Sequence, residues 1–262
     1  MENAVLISPA DDLETAQGYD RLYFGVEFCE IKIPTADEVK RAVAYAAAND
    51  MRFTLVTPYV TDSGLAAVER AIAVLPAAGA IEVVANDFGV LRRMLEFHPN
   101  LTPVLGRLLV KQKRGFGIST RRQDAPPALA EQWGFSGADN ETVRGYLTDI
   151  GVNRVEMDNP AQGIASDFSG SKLAASVYTP YTYVTTTRYC PWAYDGSTWP
   201  NMRGRCGRPC LQGIIEETGD LFDRTIFISG NAQFYRHDVL PPENELLDKG
   251  IDRLIYEPGL PV

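Results

Sequence analysis

Arg52-Phe53-Thr54-Leu55-Val56-Thr57-Pro58-Tyr59, a helical pattern over Gly64–Leu75, and then Ile81-Glu82-Val83-Val84-Ala85-Asn86 form the succession that decides the fold. Short apolar β-rich runs alternating with helical patterns build βα units on a parallel sheet. Pro76 and Gly79 stop the helix between the two strands. The alternation extends both ways. Upstream, Ala4–Ser8 and Arg21–Phe28 read as strands, with a short helix over Asp11–Gln17. Pro34-Thr35 opens a helix to about Ala48, and Thr35 with Glu38 is a capping-box signature. Downstream come helix Phe88–Phe97, strand Thr102–Val110, helix Glu141–Ile150 and strand Arg154–Asp158. Lys172–Thr182 is the seventh strand, Glu243–Lys249 the last helix and Arg253–Tyr256 the eighth strand. Residues 111–138, rich in Pro, Gly and charge, read as a long loop with one short helix at most. Thr225–Ser229 and Ala232–Arg236 flank Gly230-Asn231, a two-residue hairpin turn.

Eight candidate strands in 262 residues predict a single (β/α)8 TIM-type barrel domain, with a Cys-rich insertion over about 183–224. An open doubly wound sheet is the alternative. No Gly-x-Gly-x-x-Gly or Gly-Lys-Ser/Thr follows a strand, so a Rossmann or P-loop nucleotide site has no support. A 45% hydrophobic composition supports a large core. The net charge of −9 argues against sequence-independent binding to nucleic acid or anionic membrane. No apolar run approaches the ~20 residues of a membrane span. Met1–Ile7 is too short and too acidic for a signal peptide, so the expected location is the cytoplasm.

Four cysteines in a reducing compartment read as thiols or metal ligands rather than disulfides. Cys29 lies just beyond the second strand, Cys190 follows the seventh, and Cys206 and Cys210 sit in the insertion. All C-terminal strand ends of a barrel open onto one face, which brings the early cysteine to the late three. Four thiolates suit a tetrahedral zinc ion or a [4Fe–4S] cluster. Structural zinc sites usually use two short knuckles, and only one Cys-x3-Cys is present, so the wide spacing favours the larger cluster. A buried apolar Cys29 among incidental thiols is the alternative.

Several segments carry a family likeness: Tyr23-Phe24-Gly25-Val26-Glu27, Glu82–Leu91, Pro103-Val104-Leu105-Gly106-Arg107, Gly151–Glu156 and Gly250–Tyr256. With the cysteine layout, they resemble the U-32 peptidase-like proteins over nearly the whole chain, nearest to the UbiV type of oxygen-independent ubiquinone hydroxylation. The resemblance implies a [4Fe–4S] cluster on Cys29, Cys190, Cys206 and Cys210, and a UbiU-type homologue as heterodimeric partner. It also implies hydroxylation without molecular oxygen, with prephenate as the oxygen donor of the wider group. The gap from Cys190 to Cys206 is longer than in that pattern, and Pro191–Pro200 is unusually aromatic. Peptidase chemistry lacks a Ser/His/Asp or His-Glu-x-x-His arrangement, His98 and His237 being the two histidines.

Polar residues at expected C-terminal strand ends are candidates to position substrate or move protons: Glu27, Asn86, Asp87 and Glu156, with Asp158. Asn86 and Asp87 also suit helix caps. Arg107, Lys111, Lys113 and Arg114 form a basic cluster for a small anionic substrate, Arg107 by a bidentate pair, unless the loop is simply solvated. Arg188, Arg203, Arg205 and Arg208 surround the cysteines and would offset thiolate charge. Tyr178, Tyr181, Tyr183, Tyr189, Trp192, Tyr194 and Trp199 could shield a cluster, stack on a flat substrate or meet a partner, with Tyr183 placed at the substrate. Two functions follow. One is a cluster-dependent hydroxylase or its cluster-bearing subunit. The other is a non-catalytic barrel, stabilised by iron–sulfur or zinc, that docks onto a catalytic homologue, with a peptidase a distant third.

Overall fold

The computed structural model describes residues 1–9, 11–77, 81–115, 117–194, 206–219 and 222–261. Strands β1 (Glu2–Ile7), β2 (Arg21–Gly25), β3 (Arg52–Thr57), β4 (Glu82–Ala85), β5 (Thr102–Leu105), β6 (Arg154–Asp158) and β7 (Ala174–Thr179) neighbour one another in chain order, all parallel. Strands β8 (Tyr181–Thr186), β9 (Ile215–Glu217), β10 (Ile226–Ser229) and β11 (Ala232–Arg236) then form a separate antiparallel sheet, in the order β8-β11-β10-β9. The last strand, β12 (Ile251–Tyr256), pairs with both β7 and β1 and closes the barrel. The eight expected barrel strands and the hairpin at Gly230-Asn231 are all present.

The two-residue period of a strand divides the apolar residues into two cores. Val5, Ile7, Leu22, Phe24, Leu55, Val83, Val155 and Val177 point outward and pack with helix residues such as Val39, Val68, Val90 and Met94. Ala4, Leu6, Tyr23, Val56, Val84, Val104, Tyr178 and Ile255 form a smaller plug inside the barrel. Each fully buried aliphatic side chain contributes roughly 1.5–3 kcal/mol. Ion-paired layers close the plug at both ends, with Glu2, Arg21, Glu82 and Arg253 below and Glu27, Arg107, Asp158 and Glu257 above. Gly25 (φ +138°) carries β2 up to the upper layer. A Cβ there would sit 2.1 Å from the Val56 carbonyl oxygen, so only glycine fits.

Three boundaries differ from the sequence expectation. β5 stops at Leu105, and the apolar run after Gly106 is a single helical turn, Arg107–Val110, whose Leu108 N–H donates to Asn86 Oδ1 at 3.2 Å. That turn swings Arg107 into the barrel. The long seventh strand divides at Pro180, which has no N–H to extend the ladder, and Tyr181 begins the second sheet. The loop 111–138 holds two short helices, Ile118–Asp124 and Pro127–Gln132, the second starting on a proline suited to a first turn. The Thr35 cap forms as expected, with Glu38 N–H donating to Thr35 Oγ1 and Thr35 N–H to Glu38 Oε2.

The small sheet sits over the C-terminal mouth. Phe28 packs between Tyr183 and Phe234, with ring centroids at 5.2 and 5.1 Å. Asn231 anchors the hairpin by donating to the Phe28 carbonyl at 2.6 Å and the Tyr59 hydroxyl at 2.9 Å.

Candidate functional site

The floor of the mouth is a buried ionic layer. Arg107 forks onto Glu27, with Nε 3.1 Å from each oxygen and Nη2 at 2.5 Å. It also donates to Asp158 Oδ1 at 2.9 Å and Glu257 Oε1 at 2.5 Å, and its guanidinium lies 3.8 Å from the Tyr178 ring centre. Arg114 pairs with the other Asp158 oxygen. Glu156 lies beneath and accepts from Tyr178 OH at 2.7 Å. Arg107 is therefore 0% exposed and committed within the barrel, not held out to an incoming anion.

Charge explains the protonation of this layer. Four carboxyls, Glu27, Glu156, Asp158 and Glu257, face two guanidiniums, Arg107 and Arg114. Burial pushes Glu156 up to about 8, with the Glu27 charge adding to it. Glu257 is also raised by burial to about 8, although Arg107 pulls the other way. Glu156 Oε1 and Glu257 Oε2 have no hydrogen-bond partner, which a neutral carboxyl tolerates far better than an ionised one. Both groups are held toward their protonated forms.

The folded state thus binds these protons between pH ~4.5 and ~8 while the unfolded chain releases them. Their contribution to stability is complete below the lower value and is lost as pH rises through the upper one. Glu156→Gln keeps an acceptor for Tyr178 and removes one titrating group. Its urea midpoint is expected to fall less than the parent's between pH ~5.5 and ~8.5. At the higher pH the variant should be more stable by on the order of 1–3 kcal/mol. Identical pH slopes for the two proteins would rule out a proton held at Glu156.

Beside the small sheet a cleft of about 460 Å³ opens on the same face, lined by Tyr59, Asn86, Asp87, Lys111, Tyr183 and Arg188 among others. Four residues expected at the site from sequence therefore meet here. Asn86 is fixed from both ends, donating to the Thr57 carbonyl at 3.1 Å and accepting from Leu108 N–H at 3.2 Å. Asp87 is a helix cap. Its oxygens accept the N–H groups of Gly89 (2.6 Å), Val90 (3.3 Å) and Val60 (3.3 Å). Lys111 is exposed, in the left-handed conformation (φ 62°). Arg188 lies 5.1 Å from the Tyr59 ring centre and donates to the Val60 carbonyl at 3.3 Å. These two cations face the cleft.

Gly106 holds Asn86 in place, because a Cβ there would lie 2.1 Å from Asn86 Oδ1. Gly106→Ala is expected to eject that amide and strand Leu108 N–H, costing about 2–3 kcal/mol and lowering Tm by roughly 5–10 °C. Gly145→Ala, with open space around a helical glycine, is the control and should be neutral or slightly stabilising. Equal Tm values for the Gly106→Ala and parent proteins would refute this packing.

The cysteines gather at the mouth. Cys29 neighbours Cys190 and Cys210, and Cys190 neighbours Cys210 and Cys206. All are half-buried. Arg208 donates to the Ile31 carbonyl at 2.9 Å across 177 residues of sequence, fastening the Cys206/Cys210 loop to the Cys29 loop. The turns Pro191–Ala193 and Pro209–Gln212 pack on each other. Backbone N–H groups point at sulfur: Ile31 at Cys29, Trp192 and Ala193 at Cys190, and Arg208 at Cys206 (3.4 Å). Burial holds the Cys29 and Cys190 thiols above their ordinary range. A bound cation would reverse this by deprotonating them. Among the described residues no three Cys, His, Asp or Glu groups converge as ligands of a single ion. A thiol-only donor set with N–H···S bonds is what an iron–sulfur core takes. Arg203, Arg205 and Trp199 lie outside the described residues.

Sequence reasoning missed Glu257, Tyr59 and Asn231. Glu257 was within reach, since it directly follows the eighth strand just as Glu27 follows the second. Tyr59 and Asn231 act through the small sheet, whose docking no local pattern announces.

No family model and no curated protein matches the chain. Among solved structures, the U32 peptidase Mk0906 aligns over 100% of this chain and 94% of its own, at 11% identity and a TM-score of 0.47. Human YKL-39, a pseudo-chitinase with retained chitooligosaccharide binding properties, aligns over 97% of this chain and 91% of its own, at 10% identity and a TM-score of 0.39.

Proposed function

We propose that the chain carries a [4Fe–4S] cluster on Cys29, Cys190, Cys206 and Cys210 and acts on a small anionic substrate as an oxygen-independent hydroxylase, or as the cluster-bearing subunit of one. The observation that carries this reading is the gathering of four thiols from distant parts of the chain beside a cleft with two cations. Catalysis in barrels of this kind takes place on that face. When bound, the cluster supplies electron-transfer chemistry that side chains lack. The protein's part is recognition and exclusion of water. Lys111 and Arg188 attract and orient a carboxylate such as those of prephenate, Tyr59 and Tyr183 flank a flat group, and Phe28 with Phe234 seals the ionic floor. Zinc is the competing metal. The wide spacing of the cysteines along the chain, with a single Cys-x3-Cys, favours the larger four-iron core.

Hydroxylation itself rests on the resemblance of the segments around Gly25, Asn86, Gly106 and Glu156 to the U-32 peptidase-like proteins. The two histidines give peptidase chemistry no support, His98 being held by Glu69 at 2.9 Å and His237 lying 3.2 Å from the Asn159 carbonyl. No helix among the described residues is long and apolar enough to cross a membrane, and a cytoplasmic setting belongs to the proposal. The test is anaerobic purification. A brown protein with an absorption shoulder near ~400 nm and about four irons per chain is expected. A colourless protein with one zinc per chain would overturn the cluster.

A docking role has one observation in its favour. Phe88, Leu95 and Tyr146 are exposed around an apolar groove of about 600 Å³ between the helices Phe88–Phe97 and Glu141–Asp149. Co-purification with a homologous UbiU-type chain, lost on Tyr146→Glu with iron content unchanged, would identify that groove as the partner face.

A further inference from the structure

The end of the barrel opposite the cysteines holds a second cleft, of about 500 Å³. We infer that it binds a small phosphate-type dianion, at a site separate from the thiol face. The first residues of five consecutive strands, Arg21, Arg52, Glu82, Thr102 and Arg154, line it together with Asn153 and Lys172. Glu82 is the one carboxylate in that lining, and it is already committed. Arg253 donates to both its oxygens at 2.7 and 3.0 Å, and Arg21 lies 3.2 Å away.

The rim cations keep capacity in reserve. The Arg52 side chain is 70% exposed and holds one contact to Glu2, at 3.1 Å. Arg154, by contrast, is committed to both Asp252 oxygens (2.7 and 3.2 Å), the Ala175 carbonyl (3.2 Å) and the Ser176 hydroxyl (3.1 Å), so it lends charge rather than free donors. Among the described residues Lys172 has no ion-pair or hydrogen-bond partner. The lining and its direct ion partners comprise five cations (Arg21, Arg52, Arg154, Lys172, Arg253) and three carboxylates (Glu2, Glu82, Asp252). Two positive charges are left over, on a chain whose net charge is −9.

A concave site of excess positive charge concentrates anions even on an acidic protein. Its donors suit a tetrahedral oxyanion: the guanidinium fork of Arg52, the Lys172 ammonium, the Thr102 hydroxyl and the Asn153 amide, with Arg154 adding positive charge behind them. Catalysis belongs to the other face of such barrels, so occupation here acts on stability. A ligand that binds only the folded state raises stability by RT ln(1 + [L]/Kd).

Thermal unfolding in inorganic phosphate, against chloride at matched ionic strength, tests the site. A saturable rise in Tm of about 3–5 °C is expected at tenfold the dissociation constant. Lys172→Ala and Arg52→Ala, both at exposed side chains, should each weaken phosphate about 5–10-fold. Arg188→Ala at the thiol face should leave the rise intact. Equal Tm values in phosphate and chloride, or a rise abolished by Arg188→Ala and kept by Lys172→Ala, would overturn the assignment. The readout does not depend on iron, so it stands or falls separately from the cluster.

Discussion

Anaerobically reconstituted Cys29→Ser is expected to hold less than one iron per chain where the parent holds about four, and to lose the shoulder near ~400 nm. Serine is nearly isosteric and its oxygen can still accept the Ile31 N–H that Cys29 accepts, so the loop keeps its local bond. The hydroxyl nevertheless ionises far less readily than a thiol and makes a poor iron ligand. Cys29 is the discriminating position because the other three cysteines fall within one late segment and could meet without the barrel. Far-ultraviolet circular dichroism should match the parent, separating loss of metal from loss of fold. Full iron retention with Cys29→Ser, and its loss only with Cys206→Ser or Cys210→Ser, would confine the metal to the insertion and break the link to the barrel mouth.

How much of this could be read beforehand varies from residue to residue. The barrel strands are legible because each is a short apolar run between helix signals, and period-two alternation needs no long-range information. Leu108-Leu109-Val110 shows the limit, since a three-residue apolar run looks the same in a strand and in a buried helical turn. The choice is made by Asn86, whose amide captures Leu108 N–H from 22 residues away. Arg107 reads as a surface cation beside Lys111 and Lys113, because local sequence carries no record of burial. Its partner Glu257 is 150 residues distant, and only the register of the closed barrel brings the two together. Asn231 is legible as a turn residue and illegible as an anchor, since its bond to the Phe28 carbonyl spans 203 residues. The gathering of the cysteines lies between these cases. Topology alone requires strand-end residues to share a face, while the small sheet over the mouth sets which side of it they occupy.

Arg107→Met is expected to cost the fold about 3–5 kcal/mol, the largest single-residue effect in the barrel. Methionine fills much of the same volume, so the penalty comes from charge. Glu27, Asp158 and Glu257, all essentially unexposed, would lose the guanidinium they share. Burial already holds Glu27 and Glu257 above the ordinary carboxylate range against the pull of Arg107, and without it both move further up. The sign of the pH effect follows. The folded variant binds more protons than the unfolded chain over a wider range, so its stability falls more steeply than the parent's as pH rises from ~5 to ~8. Adding Glu27→Gln and Glu257→Gln should recover a large part of the loss at pH ~8, because neither position can then ionise in the absence of its counterion. If the triple variant is no more stable than Arg107→Met at pH ~8, packing and not electrostatics governs this layer. The same experiment reaches the metal. Glu27 stands two residues before Cys29, so an unanchored Glu27 should loosen the first thiol. Iron retention by Arg107→Met should therefore drop along with stability, whereas Lys111→Ala, at the open cleft, should keep both.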